Sequence, residues 1–435
     1  MRALLSILLL SLLTASFTTA HDYVPGSAQA TPILLKGGDL YTVSNGIKPA
    51  TDLLFENGRI TAIGIDLTPP EKATIIDVTG KNVYPGLIAP YTTIGLIEIG
   101  EVRATNDLQE EGQINPDVQS HVAYNPDSEI IPSVRSNGIT TALIVPRGSL
   151  LCGRSFLVNL DGWTVEDAGE RFDVGLHLNW PQVAVSKDWW DPRPLEEQKK
   201  AMTEQRQSLY ESFDNARAYY LAKHADSTIP RDSRWEAMMP IFDRTVPVFV
   251  QAGDYRQIEQ AVAFASEYGF RMILVGGADA WMLSELLVEH DIPVIVQRPQ
   301  ALPMREDDSY DAIYGLAGQL ASAGVKIAIS TAGSDGGTAT GVRNLPLQAG
   351  QAVAFGLNKE TALRAITLTP AELFGVDSDL GSLEINKKAT IVVSEGDIMD
   401  ELGNRVVLEF IEGRQVDLDN KHKELYRKYR QKHFE

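Results

Sequence analysis

The sequence predicts an α/β fold: a TIM-like (β/α)8 barrel over residues 85–375, with a small split β-sandwich domain formed by both ends of the chain. Two patterns support this prediction. Short apolar runs alternate with longer amphipathic segments through the middle of the chain, as expected of βα units around a parallel sheet buried on both faces. Strand-like runs separated by turn residues occupy 31–84 and 376–417, and 435 residues suffice for one barrel and one smaller domain.

The predicted β domain draws its strands from two distant parts of the sequence. In the first part, Asn57-Gly58 stands between two apolar runs and is a strong hairpin signal. In the second, residues 381–393 and 406–416 have the same strand-like character. Strands from both parts can therefore join one small domain beside the barrel.

The predicted barrel contains five clear strands, each followed by a turn and a helix candidate. They are residues 140–145, 246–251, 272–276, 293–296 and 325–330. Residues 255–268 predict a helix, because apolar side chains recur at helical spacing and Gly269 is placed to end it. Residues 195–225 predict a long surface helix inserted in the barrel, and Trp189 and Trp190 before it either pack against this helix or form a lid.

The first twenty residues predict a secretory signal peptide that is cleaved after Ala20. They combine one positive charge, an apolar run over 4–13 and small residues before a polar stretch. A membrane anchor is the alternative, but this apolar run is too short to span a bilayer core of about 30 Å. We therefore expect an exported protein, periplasmic or secreted, with no membrane span after cleavage.

Charge and cysteine content limit the partners. The formal charge of −19 argues against nucleic acids and anionic membrane surfaces, and acidity also keeps an exported protein soluble. Cys152 is the single cysteine, so the chain forms no intramolecular disulfide and no cysteine cluster for zinc. Residues 418–435 turn basic and predict a solvated terminal helix.

Four segments, in the same order along the chain, carry a family resemblance. They are residues 77–88 (DVTGKNVYPGLI), 137–141 (NGITT), 352–375 and 381–393. Together they resemble the amidohydrolase superfamily, specifically its imidazolonepropionase-like branch. The resemblance implies the barrel with its β domain, and a hydrolase of carbon–nitrogen bonds. In that superfamily a divalent metal such as zinc activates water, histidines and an acid or carboxylated lysine hold the metal, and an aspartate moves the proton.

The positions that match the family's metal ligands carry other residue types. Tyr91 and Thr93 stand where the first strand has two histidines, and Gln251 stands at the histidine of the fifth-strand run. The sixth-strand run ends at Gly276 without a histidine, and Ala332 replaces the aspartate of the last strand. None of these is a usual ligand of a zinc-like ion. We therefore expect no metal cofactor, and His177, in another strand-like run, is one histidine where a site needs several.

Other residues of the predicted mouth have two interpretations each. Asp254 and Asp335 are either displaced carboxylates or turn residues that accept hydrogen bonds from local backbone N–H groups. Arg147 and Arg154 follow a strand, at the rim where barrels bind ligands, and either pair with a ligand carboxylate or with local acids. Thr331 lies at the same rim, at the end of the last strand.

Three functions follow from these observations. The first is an exported superfamily member that is degenerate for metal-dependent hydrolysis and binds a small-molecule ligand or a partner at the barrel mouth. The second is an active hydrolase of carbon–nitrogen bonds, in non-peptide or dipeptide substrates, that uses an unconventional site. The third is a structural subunit that pairs with an active homologue, within a homo- or hetero-oligomer.

Overall fold

The computed structural model describes residues 23–186, 191–331 and 339–434. Outside these ranges fall the predicted signal peptide and four residues singled out in the sequence: Trp189, Trp190, Ala332 and Asp335. Within the described ranges two eight-stranded sheets are present, one for each predicted domain. Among the helices of these ranges, none has the length and apolarity needed to cross a bilayer.

The strands and helices follow one another in an order that alternates only in the middle of the chain. The strands are β1 (Ile33–Tyr41), β2 (Ile47–Glu56), β3 (Arg59–Gly64), β4 (Thr74–Asp77), β5 (Asn82–Pro85), β6 (Leu87–Thr92), β7 (Ile139–Ile144), β8 (Leu151–Asn159), β9 (Gly169–Asn179), β10 (Val248–Ala252), β11 (Met272–Gly276), β12 (Val294–Val296), β13 (Ile327–Ile329), β14 (Ile391–Ser394), β15 (Val406–Ile411) and β16 (Arg414–Gln415). The α-helices are α1 (Ile130–Arg135), α2 (Val165–Ala168), α3 (Leu195–Ala225), α4 (Ser233–Phe242), α5 (Tyr255–Tyr268), α6 (Ser284–Glu289), α7 (Ala312–Ser322), α8 (Leu345–Ala354), α9 (Lys359–Arg364), α10 (Leu368–Phe374) and α11 (Lys421–Phe434). Short 3₁₀ helices occupy Arg103–Thr105, Ser120–Val122, Ala280–Leu283 and Ala339–Asn344.

The sheet of the smaller domain joins both parts of the chain. Its order is β16-β15-β14-β5-β1-β2-β3, with β4 also paired to β1, and β5 and β14 are antiparallel partners at its centre. β2 and β15 stand four strands apart, which is about 19 Å in a flat sheet. Nevertheless, the ring centroids of Phe55 and Phe410 on these two strands lie 5.0 Å apart. The sheet therefore curls over its own core, and the predicted split β domain is confirmed.

Two local predictions are also confirmed. β2 and β3 form an antiparallel hairpin whose turn residues, Asn57 and Gly58, both have positive φ, as a two-residue type I′ turn requires. α5 spans the predicted residues and ends at Gly269 with φ 74°, a conformation that suits glycine. Local turn chemistry in the sequence was sufficient for both features.

The barrel sheet runs β13-β12-β11-β10-β9-β8-β7-β6, and the predicted TIM-like barrel is confirmed. Its neighbours are parallel except around β8, which is antiparallel to both β7 and β9. The helix expected directly after residues 140–145 is therefore a wrong prediction. The apolar run Leu151–Asn159 follows instead as a buried strand, because it forms ladder hydrogen bonds with strands on both of its sides.

The segment between α9 and α10 fills the gap between the first and last barrel strands. The backbone N–H of Ile88 on β6 donates to Ile366 O at 2.8 Å, and that of Ile329 on β13 donates to Ala365 O at 3.0 Å. The carbonyl groups of two consecutive residues thus each accept a hydrogen bond from one of the two edge strands. Among the described strand pairings, β6 and β13 form no ladder with each other. The loop between α9 and α10 closes the barrel at that point.

The barrel side chains alternate between two cores. On β10, Phe249 points into the barrel with residues such as Ile273 and Ile295, whereas Val248 and Val250 pack outward in the layer that includes the helices. Gly86 links the two domains between β5 and β6. A Cβ at this position would come within 2.1 Å of Thr140 Oγ1, so the chain enters the barrel only through a residue without a side chain.

A buried ionic cluster joins the N-terminal arm, the barrel and the small domain. Arg135, at the end of α1, donates from Nη1 to Asp161 Oδ1 at 2.9 Å and from Nη2 to Asp417 O at 2.7 Å. The Tyr23 hydroxyl contacts both Arg135 and Asp161. Glu409 of β15 is buried nearby with no hydrogen-bond partner for either carboxylate oxygen. The junction therefore buries the Arg135–Asp161 ion pair, whose side chains have no exposed surface.

Candidate functional site at the barrel mouth

The carboxyl ends of the parallel barrel strands bring two predicted residues into contact. Tyr91 lies near the end of β6 and Gln251 near the end of β10, and these strands are four positions apart in the sheet. The Tyr91 hydroxyl donates to Gln251 Oε1 at 3.3 Å, so the bond crosses the interior of the barrel. Tyr91 is only 7% exposed, and burial raises the pKa of its hydroxyl above the usual value. The phenol is therefore neutral and acts as a donor.

His177 lies below this bond and packs as an aromatic side chain. Its ring stacks on Phe249 with centroids 4.7 Å apart and lies 5.7 Å from the Tyr91 ring. It is 2% exposed, and neither ring nitrogen has a hydrogen-bond partner. Burial lowers the pKa of His177 to about 3, so the imidazole is neutral at physiological pH.

Asn179, the last residue of β9, holds the loop that covers this side of the mouth. Its Nδ2 donates to Gly148 O at 2.9 Å and to Ser149 O at 3.0 Å, and lies 3.4 Å from Cys152 Sγ. Burial raises the pKa of the Cys152 thiol to about 12, so the sulfur stays protonated. The sequence analysis missed Asn179, although its place at the carboxyl end of a strand-like run was a usable signal.

The other matched positions have structural roles in the turns that leave the strands. Thr93 is buried after β6, and its carbonyl accepts a hydrogen bond from the Leu96 N–H at 3.0 Å. Gly276 ends β11 with φ 93°, which favours glycine. Thr331 follows β13 and is partly exposed at the end of a described range, directly before Ala332, which lies outside it.

Asp254 caps a helix. Its side chain accepts from the Arg256 N–H at 2.8 Å, and Gln257 completes a capping box at the start of α5. It also forms an ion pair of 2.8 Å with the Arg256 guanidinium, which lowers the pKa of the carboxyl. The structure thus places Asp254 in the turn role, while Asp335 lies outside the described residues.

The two arginines of the β7–β8 segment occupy different environments. Arg154 lies within β8 and pairs with Asp173 at 3.1 Å, so the loop location expected for Arg154 is wrong. The cause is the extra antiparallel strand, which places this residue inside a ladder. Arg147 remains in the β7–β8 loop, close enough for its positive charge to oppose the rise in the Tyr91 pKa.

The donor set at the mouth does not fit a zinc-like ion. Tyr91, Thr93 and Gln251 supply a phenol, a hydroxyl and an amide, and Gly276 supplies no side chain. Such ions prefer thiolate, imidazole or carboxylate ligands. In the three described ranges no three histidine, cysteine, aspartate or glutamate side chains come together in a group that could hold a metal.

Comparison with known proteins agrees with the fold. A model of the amidohydrolase family matches residues 271–417. The amidohydrolase tasK of Hapsidospora irregularis is 23% identical over 391 residues, which cover 80% of this chain and 38% of that protein. A dihydroorotase of Geobacter sulfurreducens is 43% identical over 56 residues, 13% of each chain. The matched segments thus cover well under half the length of both relatives.

A solved structure extends the likeness to three dimensions. The crystal structure of an amidohydrolase from Thermotoga maritima MSB8 matches with a TM-score of 0.79 at 23% identity, covering 88% of this chain and 99% of that one. By its fold, this protein is a TIM-like barrel protein with a flanking β domain that both ends of the chain build. The last third of the chain thus matches the amidohydrolase family model, and the fold of the whole resembles that of a solved amidohydrolase. The assignment of this chain to the imidazolonepropionase-like branch stays a prediction.

Proposed function

We propose that this protein is an exported superfamily member whose barrel mouth binds a small polar ligand and does not carry out metal-dependent hydrolysis. The observation that supports this most is the hydrogen bond between Tyr91 and Gln251 across the mouth. Both residues occupy positions that match metal ligands of the family. A phenol and an amide recognise a ligand by hydrogen bonds, but neither replaces a cation that lowers the pKa of water.

The chemistry of the rim favours a ligand that carries an amide or a similar carbonyl. Gln251 can donate to a ligand through Nε2 while its oxygen accepts from Tyr91, and Asn179 can accept through its amide oxygen while its Nδ2 holds the β7–β8 loop; both residues keep partial exposure. Thr331 adds a hydroxyl at the end of the last strand. Neutral groups that both donate and accept complement an amide, which does the same.

Export is supported by the first twenty residues, whose pattern is that of a signal peptide. The proposed location is the periplasm or the extracellular medium. Mass spectrometry of the natural protein tests this directly. We expect a mature chain that begins at His21, and recovery of the uncleaved chain from the cytoplasm contradicts the proposal.

Binding is tested by thermal shift and calorimetry of the purified mature protein against small amides, ureas and carboxylic acids. We expect a ligand whose affinity falls about fivefold in Tyr91→Phe, since one hydrogen bond is worth about 1 kcal/mol. Tyr124→Phe is the matched control, because Tyr124 is also buried but packs on Phe156 outside the barrel.

Elemental analysis of the same preparation separates the proposal from active hydrolysis. We expect no stoichiometric zinc and no turnover of the amide panel. One zinc ion per chain together with hydrolysis of an amide in the panel contradicts the proposal. Turnover without metal favours the alternative of a hydrolase with an unconventional site.

A further inference from the structure

The terminal helix α11 is exposed on nearly all sides. Asn420 anchors its start by donating from Nδ2 to Ser136 Oγ at 2.9 Å, and Glu424 is partly buried. From Leu425 to His433 every residue is exposed. Helices of about 12–15 residues are marginal in water without packing partners. Against the described residues, the 14-residue α11 makes a few polar contacts, such as the Arg427–Asp419 ion pair, but its side chains from Leu425 onward stay exposed.

α11 combines a basic charge with an apolar face. It carries six lysine and arginine residues against one glutamate, a formal charge of +5 in a chain whose total is −19. Leu425, Tyr426 and Tyr429 follow i, i+1, i+4 spacing, which places them on one side of the helix. Their exposed fractions are 39%, 66% and 52%. This side is suited to an apolar groove with an acidic rim.

A groove with that chemistry lies beside α7. It measures about 690 Å³, and its apolar lining includes Trp281, Met304 and Phe355. Trp281 and Met304 are about half exposed, at 47% and 51%. Gly315 and Gly318 of α7 add no side chain to its wall. The floor is therefore apolar and open to the approach of another helix.

The rim of the groove is acidic and held in place. Arg305 donates to both oxygens of Asp279, at 2.9 and 2.6 Å, and fixes the loop that precedes α7. Asp307 lines the groove and is exposed, as is the adjacent Glu306. Asp311 lies on the same lining at the start of α7. Acidic side chains thus outnumber the single arginine beside this apolar surface, which complements the basic α11.

From this complementarity we propose that α11 of one copy docks in the α7 groove of a second copy of this chain. Helix-in-groove association buries the apolar face, and opposite charges fix its position. This inference is independent of the proposed ligand at the barrel mouth. The partner of the basic helix is then the acidic groove of a second, identical chain.

Sedimentation and light scattering of the mature protein test the proposal. We expect self-association at low salt that weakens at least about tenfold near 0.5 M salt, where charges are screened. Lys428→Glu with Lys432→Glu reverses charge on the helix, and Glu306→Lys with Asp307→Lys reverses it on the rim. Each double variant alone is expected to be monomeric, while a mixture of the two associates again.

The matched control is Glu204→Lys with Glu211→Lys, two exposed acids on α3 away from the groove. We expect this variant to associate like the wild type. A monomer at every salt concentration overturns the proposal, as does a mixture that fails to associate while the wild type does. Binding of α11 to phosphatidylglycerol vesicles, with self-association unchanged by the helix variant, assigns the helix to a membrane surface instead and also overturns it.

Discussion

The barrel mouth and the domain junction bury polar groups in opposite ways. At the mouth, where the superfamily chemistry needs charge, Tyr91 and His177 are buried in neutral form. At the junction, where no reaction is expected, Arg135 and Asp161 have no exposed side-chain surface and form a 2.9 Å ion pair. At the junction a buried ion pair thus connects the two domains, whereas the buried Tyr91 and His177 at the mouth carry no charge.

The largest effect is expected at the junction, from Asp161→Asn. This change leaves the Arg135 guanidinium buried without its countercharge, which costs about 3–5 kcal/mol of unfolding free energy. Urea unfolding measures the loss. Asp379→Asn is the control, since the Arg59–Asp379 pair is about half exposed and is worth less than about 1 kcal/mol. If both variants lose the same unfolding free energy, the buried ion pair at the junction has no special role in stability.

The next effect is expected at the mouth, from His177→Leu. The folded pKa of about 3 lies below the unfolded value of about 6.5, so between these values the unfolded chain binds a proton that the folded chain does not. Wild-type stability therefore falls as the pH drops from about 6.5 toward 3, by up to several kcal/mol. We expect a flatter pH dependence in the variant.

Unfolding free energies of wild type and His177→Leu across that pH window provide the measurement. His224→Gln, on the exposed end of α3, is the control and should follow the wild-type slope. An unchanged slope in His177→Leu means that the imidazole is not the group responsible.

A smaller effect of opposite sign is expected from Glu409→Gln. Burial raises the pKa of Glu409 well above the usual value, despite the nearby Arg135 charge. As the pH rises above about 4.3, the unfolded chain releases this proton while the folded chain keeps it, so wild-type stability decreases. The variant should therefore be more stable than wild type at pH 7, and the difference should shrink as the pH falls to 4. Glu395→Gln, at an exposed ion pair with Arg405, should show no such gain.

The smallest effect is expected from restoring histidines alone. Tyr91→His with Thr93→His supplies two imidazoles, but Gln251 and Gly276 still provide no metal ligand of the usual kind. We expect neither stoichiometric zinc nor hydrolysis of simple amides, measured by elemental analysis and turnover assays. Detectable hydrolysis by this double variant reveals further ligands that the neutral mouth does not show.

Sequence patterns predicted the features that depend on local chemistry. The Asn57-Gly58 hairpin, the α5 helix ending at Gly269 and the strand ends at the mouth all follow from turn residues and periodicity. The pattern did not reveal that Leu151–Asn159 is an antiparallel strand, because a short apolar run does not specify its direction. That direction depends on β7 and β9, the partners on either side.

The buried groups were harder to predict than the strands. Asp161 and Arg135 look like ordinary surface residues in sequence, and only the docking of Tyr23 and the small domain makes them buried. The Tyr91–Gln251 bond likewise joins residues on strands that are not neighbours. Chemistry that depends on such distant contacts has no local sequence signal.

The pairing of β5 with β14 also constrains the order of folding. It joins Pro85 to Ile391, about 300 residues apart in the chain. Contacts at such separation form late, because closing a long loop costs entropy before the contact repays it. Until β14 arrives, the edge of β5 is an unpaired template for other chains. The small domain is therefore the part of the molecule whose assembly is most exposed to aggregation.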